Sequence, residues 1–266
     1  MKAYNQRILR TGSYVEIWTY DKPIITHGDE PHVVDINNSK PRQTRKSFDE
    51  LTPEEQKIRL EHMATSRLQA KWRLLRIVDA NYDDRTSFLT LTTKQNIQDR
   101  SEFLLMFKKF INRFNYQIFG KKKGVLHYVA VLERQKRGSW HSHILMFSVP
   151  YIKHSELLKI WRHGAVRINK VDVDSKENRG RYVVKYFEKG IGQELLDSFG
   201  KKSYFASRNL KRPTEEKILL NENLEFEQSV IMYETSYISK IYRDGQLIDN
   251  PVRYRKIKYT EEKNGL

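Results

Sequence analysis

Two histidines one residue apart, His141-Ser142-His143, stand about forty residues ahead of the pentapeptide Tyr182-Val183-Val184-Lys185-Tyr186. Imidazole nitrogens bind divalent ions, and a phenol oxygen becomes a nucleophile once its proton is drawn away. In an extended strand, residues i and i+2 project to the same face. His141 and His143 therefore present two nitrogens to one side, and Ser142 points to the other. If 125–133 and 141–149 pair as a hairpin with Glu133 roughly opposite His141, the Glu133 carboxylate joins that face. Two imidazoles and a carboxylate make a mixed nitrogen–oxygen site with open positions, suited to Mg²⁺ or Mn²⁺ acting on a phosphate. His127 falls on the same face but farther along its strand, and is left out of the set.

Tyr182 and Tyr186 lie four apart on a predicted helix, 175–189, closed by Gly190. That spacing places them on one face with Cβ atoms about 6 Å apart. A phenol has a pKa near ~10, so it must shed its proton as it attacks. A cation at the phosphate and a nearby lysine both stabilise the charge that develops, and Lys185 is better placed for this than Lys189. The plainer reading of the same residues is structural: rings packed in a core, solvated lysines, and histidines of a half-buried strand.

The elements that must position these groups are legible from periodicity. Alternation marks strands at 87–93, 125–133, 141–149 and 165–173. The charged loop 134–140 contains Gly138, as a hairpin loop would. Ser101 is the expected cap of a helix carrying Phe103, Leu104, Phe107, Phe110 and Ile111. A short helix runs from Ser155 to near Trp161. Strands and helices in β-α-β-β-α-β order match an α+β, ferredoxin-like antiparallel sheet flanked by helices. Upstream, Thr52-Pro53-Glu54-Glu55 starts a long helix to about Val78, with Leu60, Met63, Leu68, Trp72 and Leu75 as its apolar stripe. Residues 12–28 read as a hairpin turning at Asp21-Lys22-Pro23, and 236–259 as another turning at 243–246. The expected divisions are an N-terminal hairpin and arm (1–50), the long helix (51–82), the domain with the chemistry (83–212) and a C-terminal segment (213–266).

Composition narrows the class. Lys and Arg number 49 against 33 Asp and Glu, a net charge of +16, so a polyanion such as nucleic acid is the expected partner. Loops such as Lys121-Lys122-Lys123 and 208–212 are candidates for backbone phosphates, or simply solvated turns. There is no cysteine, which removes disulfides, thiolate zinc and iron–sulfur clusters. Any metal must be held by His, Asp, Glu or water. No apolar run reaches the ~18 residues that cross a bilayer, and residues 1–12 lack a secretory core, so a cytoplasmic protein without membrane contact is expected.

Phe88-Leu89-Thr90-Leu91-Thr92, Glu133 with His141-Ser142-His143, and Tyr182-x-x-Lys185-Tyr186 resemble, in that order, the three motifs of HUH endonucleases of the Rep type. These are rolling-circle replication initiators of plasmids and single-stranded-DNA phages. The likeness covers roughly 86–190. It implies the HUH endonuclease fold, with the segments on either side as N- and C-terminal extensions. It also implies metal held by His141, His143 and Glu133, and Tyr182 attacking single-stranded DNA at an origin to leave a 5′-phosphotyrosine. Tyr186 would serve in a second transfer. Ser142 departs from the pattern, which ordinarily has a bulky apolar residue between the histidines. No Walker-type phosphate loop is present, so a separate helicase, together with a host polymerase, is expected as partner. A two-tyrosine transposase of the same superfamily and a non-catalytic DNA-binding regulator are the rival readings. The absence of cysteine counts against the transposase.

Overall fold

The computed structural model describes residues 2–26, 46–121, 124–171, 202, 204–220, 229–243 and 245–259. In chain order the described elements are β1 (Lys2–Arg10), β2 (Tyr14–Thr26), α1 (Pro53–Asn81), β3 (Ser87–Thr92), α2 (Arg100–Phe119), β4 (His127–Arg134) and β5 (Trp140–Phe147). They continue with α3 (His154–Trp161), β6 (Val166–Lys170), β7 (Phe205–Ala206), β8 (Thr214–Ile218), β9 (Ser229–Arg243) and β10 (Gln246–Tyr259). The chain divides into two compact units, one of Met1–Arg59 with Pro213–Leu266, the other of Leu60–Arg212.

The unit Leu60–Arg212 is built on an antiparallel sheet in the order β6-β3-β5-β4-β7. Its first four strands, taken with α2 and α3, have the interleaved connectivity of a ferredoxin-like α+β sheet, so the fold class is the one expected. Alternation sorts the side chains. Leu89, Leu91, Ile144 and Met146 face the α2–α3 side, where Phe103, Phe110 and Trp161 fill the core. Phe88, Val131, Leu145 and Phe147 face the other way and pack with Leu74, Ile77 and Val78 of α1. Each strand interior is thus apolar on both faces except where the candidate ligands sit.

Several local expectations shift. Helix α2 is capped by Asp99, whose side chain accepts from the Ser101 amide at 2.8 Å, so Ser101 is inside the first turn rather than the cap. Thr52 and Glu55 do form the reciprocal capping box, Thr52 N to Glu55 Oε2 at 2.9 Å and Glu55 N to Thr52 Oγ1 at 3.3 Å. The face α1 buries is different from the stripe read in the sequence. Leu60, Leu68 and Trp72 are exposed, and the buried positions are Leu74, Ile77 and Val78, with Ala70 packed beside them. Spacings of four, three and one define a face just as regular as the expected one, rotated by about one residue. The segment 203–213 also contributes β7, which pairs Val129 with Ala206 and extends the sheet beyond β4. In the same stretch Leu210 is buried, and Asn209 donates to the carbonyls of Gly124 and Val125. Lys122 and Lys123 lie outside the described residues.

The other unit is a second antiparallel sheet, β8-β1-β2-β10-β9. Here β2 is one continuous strand, and the hairpin is made with β1 across the turn at 11–13. Asp21-Lys22-Pro23 is a bulge instead of a turn. Pairing jumps from Tyr4 with Ile24 to Gln6 with Thr19, leaving residues 20–23 opposite Asn5. Asn250 secures the bulge by accepting from the Lys22 amide at 2.8 Å and donating to the Lys22 carbonyl at 2.9 Å. Pro23 has no amide to give a ladder, which suits the position. β9 and β10 pair from Arg243 with Gln246 outward, with Gly245 at φ +80° in the two-residue turn. No described helix is long and apolar enough to cross a membrane.

Candidate metal centre

The hairpin β4–β5 fixes the site. Its five-residue loop is closed by Gln135 N to Ser139 O at 2.9 Å and Gly138 N to Gln135 O at 2.8 Å, with Gly138 at φ +86°. Those bonds set the register that pairs Glu133 with His141 and Val131 with His143. On the other side of β5, Thr90 of β3 pairs with His143, and Thr92 with His141. Residues opposite one another share a face. Glu133, His141, His143, Thr90 and Thr92 therefore all project from the face of the sheet that α2 and α3 do not cover.

The three candidate ligands converge. Glu133 Oε2 lies 3.1 Å from His141 Nε2 and 2.7 Å from His143 Nε2. One ligand atom from each of the three falls within 4.8 Å of the others. The imidazoles meet edge to face at 4.5 Å between centroids. Burial is graded: the His143 side chain is 5% exposed, His141 13% and Glu133 18%. A ligand from solvent thus meets the set from the Glu133–His141 end. Hydrogen bonds from His141 and then His143 hold the Glu133 carboxyl well below the usual carboxylate range, against the opposing pull of its burial. It is an anion at any physiological pH, and two nitrogens and a charged oxygen are donors a divalent ion accepts.

Two residues complete the cradle that sequence reasoning quoted without a role. Thr90 Oγ1 is 3.2 Å from His143 Nδ1, the nitrogen turned away from Glu133. The Phe88 ring stacks on the His143 imidazole at 5.7 Å and 16° between planes. The signal was present: Phe88 and Thr90 are i and i+2 on the strand beside the histidines. Ser142 is fully buried on the opposite face, and its hydroxyl donates to the Val131 carbonyl at 3.4 Å. That weak bond gives the small polar residue a partner where a bulkier apolar one was expected. His127 pairs with Phe147 at the far end of the strand and takes no part. Tyr182, Lys185 and Tyr186 lie outside the described residues.

No curated protein and no solved structure gives a match to this chain. The stretch that contains β3 and the converging Glu133, His141 and His143, residues 86–191, does match a family model, that of the replication-associated protein ORF2/gene 2 protein, the same Rep-like family type that the motifs resemble.

Proposed function

We propose that this protein initiates rolling-circle replication by nicking and rejoining single-stranded DNA through a tyrosine ester. The observation that carries the reading is the convergence of Glu133, His141 and His143 on one sheet face, within the segment that matches the replication-associated family. The set suits Mg²⁺ or Mn²⁺, which when bound would supply positive charge to the scissile phosphate. Glu133 contributes the negative charge that holds a cation, while the imidazoles set its direction of approach.

Tyr182 is the proposed nucleophile and Lys185 the group that stabilises its developing phenolate. The new bond joins the phenol oxygen to phosphorus, and the bond to the 3′-oxygen breaks. The phenol proton leaves and the departing 3′-oxygen takes one up. The products are a 5′-phosphotyrosine and a free 3′-hydroxyl that a host polymerase can extend. One phosphodiester replaces another, so the exchange is close to neutral in energy and can run backwards to rejoin. Tyr186, four residues on, would make the second attack after one round of synthesis.

The test is to incubate the protein with single-stranded DNA from its origin and Mn²⁺, then look for protein-linked DNA on a denaturing gel. The reading requires an adduct that EDTA and His143→Ala abolish. It requires Tyr182→Phe to lose the first cut, and Tyr186→Phe to keep that cut but lose repeated transfer. An adduct formed equally well in EDTA excludes the metal, and one formed by Tyr182→Phe excludes the assigned nucleophile. DNA bound without any adduct favours the regulator.

A further inference from the structure

We infer that the second sheet, β8-β1-β2-β10-β9, binds single-stranded DNA by stacking bases on its aromatic face. This sheet has two unlike faces. One carries Ile8, Val15, Ile17 and Ile257, all buried, with Ile218 beside them, and forms a small aliphatic core. The register places a different set on the reverse. Arg7 stands opposite Trp18, Trp18 opposite Tyr254, and Lys256 opposite Tyr233.

These groups form a continuous row across four strands. The Arg7 guanidinium lies 4.6 Å from the Trp18 ring. Trp18 and Tyr254 have centroids 5.1 Å apart, and Tyr254 and Tyr233 6.1 Å apart. The Tyr254 hydroxyl donates to buried Glu16 at 2.7 Å, which holds its ring in place. Alongside, Lys256 sits 3.7 Å from the Tyr14 ring and Lys217 5.2 Å from Tyr4. The rings are not sealed in a core. Trp18 and Tyr254 are half-buried, while Tyr233 is 55% exposed and Tyr237, opposite Val252 on the same face, 46%.

Aromatic faces at a sheet surface stack on any unpaired base, and cations among them meet the phosphates between bases. The register puts Arg7, Lys217, Lys256 and Lys258 on this face as its cations. Its acids, Glu16 and Glu215, are already engaged, Glu16 by Tyr254 and Glu215 by Arg7 at 3.0 Å and Lys217 at 3.6 Å. A duplex hides its base faces, so a flat row of rings selects a single strand. That the strand is DNA and not RNA rests on the replication reading above; the stacking itself does not.

Binding of a fluorescent oligothymidylate to the full chain, followed by anisotropy in EDTA, tests this apart from any cutting. We expect Tyr233→Ser with Tyr237→Ser, at exposed positions that keep the fold, to weaken binding about tenfold. A duplex of equal phosphate count should bind more weakly than the single strand. On the unaltered protein, bromodeoxyuridine oligonucleotides should photocrosslink within 14–26 and 229–259. Crosslinks confined to 60–212, an unchanged affinity in the tyrosine variant, or preference for duplex overturns the inference. Tighter binding of oligouridylate overturns its assignment to DNA. A protein that crosslinks here yet never forms an adduct with DNA leaves this inference standing and removes the proposed function.

Discussion

Thr90 offers the sharpest test of the metal centre, because it touches a ligand and no substrate. A carboxylate only accepts, so the 2.7 Å bond from His143 to Glu133 uses Nε2–H, which leaves Nδ1 as an acceptor for the Thr90 hydroxyl. An ion at the same place needs the Nε2 lone pair, and the ring proton must then sit on Nδ1, where Thr90 Oγ1 accepts it. A hydroxyl serves both arrangements and a methyl serves neither. Thr90→Val keeps shape and volume while removing this bond. Partners in this position are typically worth 10–100-fold in metal affinity, which corresponds to about 1.4–2.8 kcal/mol. Titration calorimetry with Mn²⁺ should therefore show Thr90→Val weakened by at least ~10-fold and Thr90→Ser near wild type. Thermal unfolding in EDTA should shift far less for Thr90→Val than a broken core would require, since one neutral hydrogen bond is worth about 1 kcal/mol. Wild-type Mn²⁺ affinity in Thr90→Val, with affinity lost in His143→Ala, would refute the argument that the hydroxyl orients the ring.

Three further outcomes follow from the packing. Gly164 sits at φ +153°, and a Cβ there would lie 2.3 Å from the Thr92 carbonyl oxygen and 2.5 Å from the Lys94 amide. Gly164→Ala should cost about 3 kcal/mol or more by urea denaturation, and a loss below ~1 kcal/mol contradicts the close approach. At α2, Asp99→Ala should cost about 1 kcal/mol and Ser101→Ala less than ~0.5; the reverse order in thermal melts would return the cap to Ser101. Asp83 is opposed by its own burial, yet bonds from the Ser148 hydroxyl and amide, the Thr86 hydroxyl and the Arg85 amide hold its carboxyl below the ordinary 3.8. A depressed folded value means the stabilisation is present above that ordinary value and lost as pH falls through the folded one. The stability gap between wild type and Asp83→Asn should narrow as buffer is taken below about pH 3.8, and a gap that widens reverses the sign.

What was legible in the sequence was local. The strands β3 to β6 announce themselves by alternation, and the i, i+2 rule put both histidines on one face before any register was known. Glu133 required one more step, the loop length between two strong β-segments, and that too is local. The second sheet was not legible, because its order depends on pairing Gln6 with Ile218 and Arg7 with Lys217. Nothing in the first ten residues marks a strand more than two hundred positions away as their neighbour. The bulge at residues 20–23 shows the same limit: Asp-Lys-Pro reads as a turn until Asn250 arrives to hold it open. The face of α1 was misjudged because the larger residues were weighted over equally periodic smaller ones. Which stripe is buried depends on what the helix meets, not on the helix alone.

The site's position in the sheet explains why so few residues suffice. β5 is a central strand, gripped by β4 through Glu133–His141 and by β3 through Thr90–His143. A slip of one residue in either pairing would turn the partner side chain through the sheet into the aliphatic core. Buried residues on both faces resist such a slip: Leu132 and Ile144 on one side, Val131 and Leu145 on the other. The apolar core thereby holds three polar groups together that would otherwise repel burial. The same reasoning limits where a nucleophile can stand. His143 is sealed by Phe88 and Thr90, so a phosphate bound at this centre must lie toward Glu133 and His141. A phenol that attacks it has to reach that end of the face, and Tyr182 either does so or is not the nucleophile.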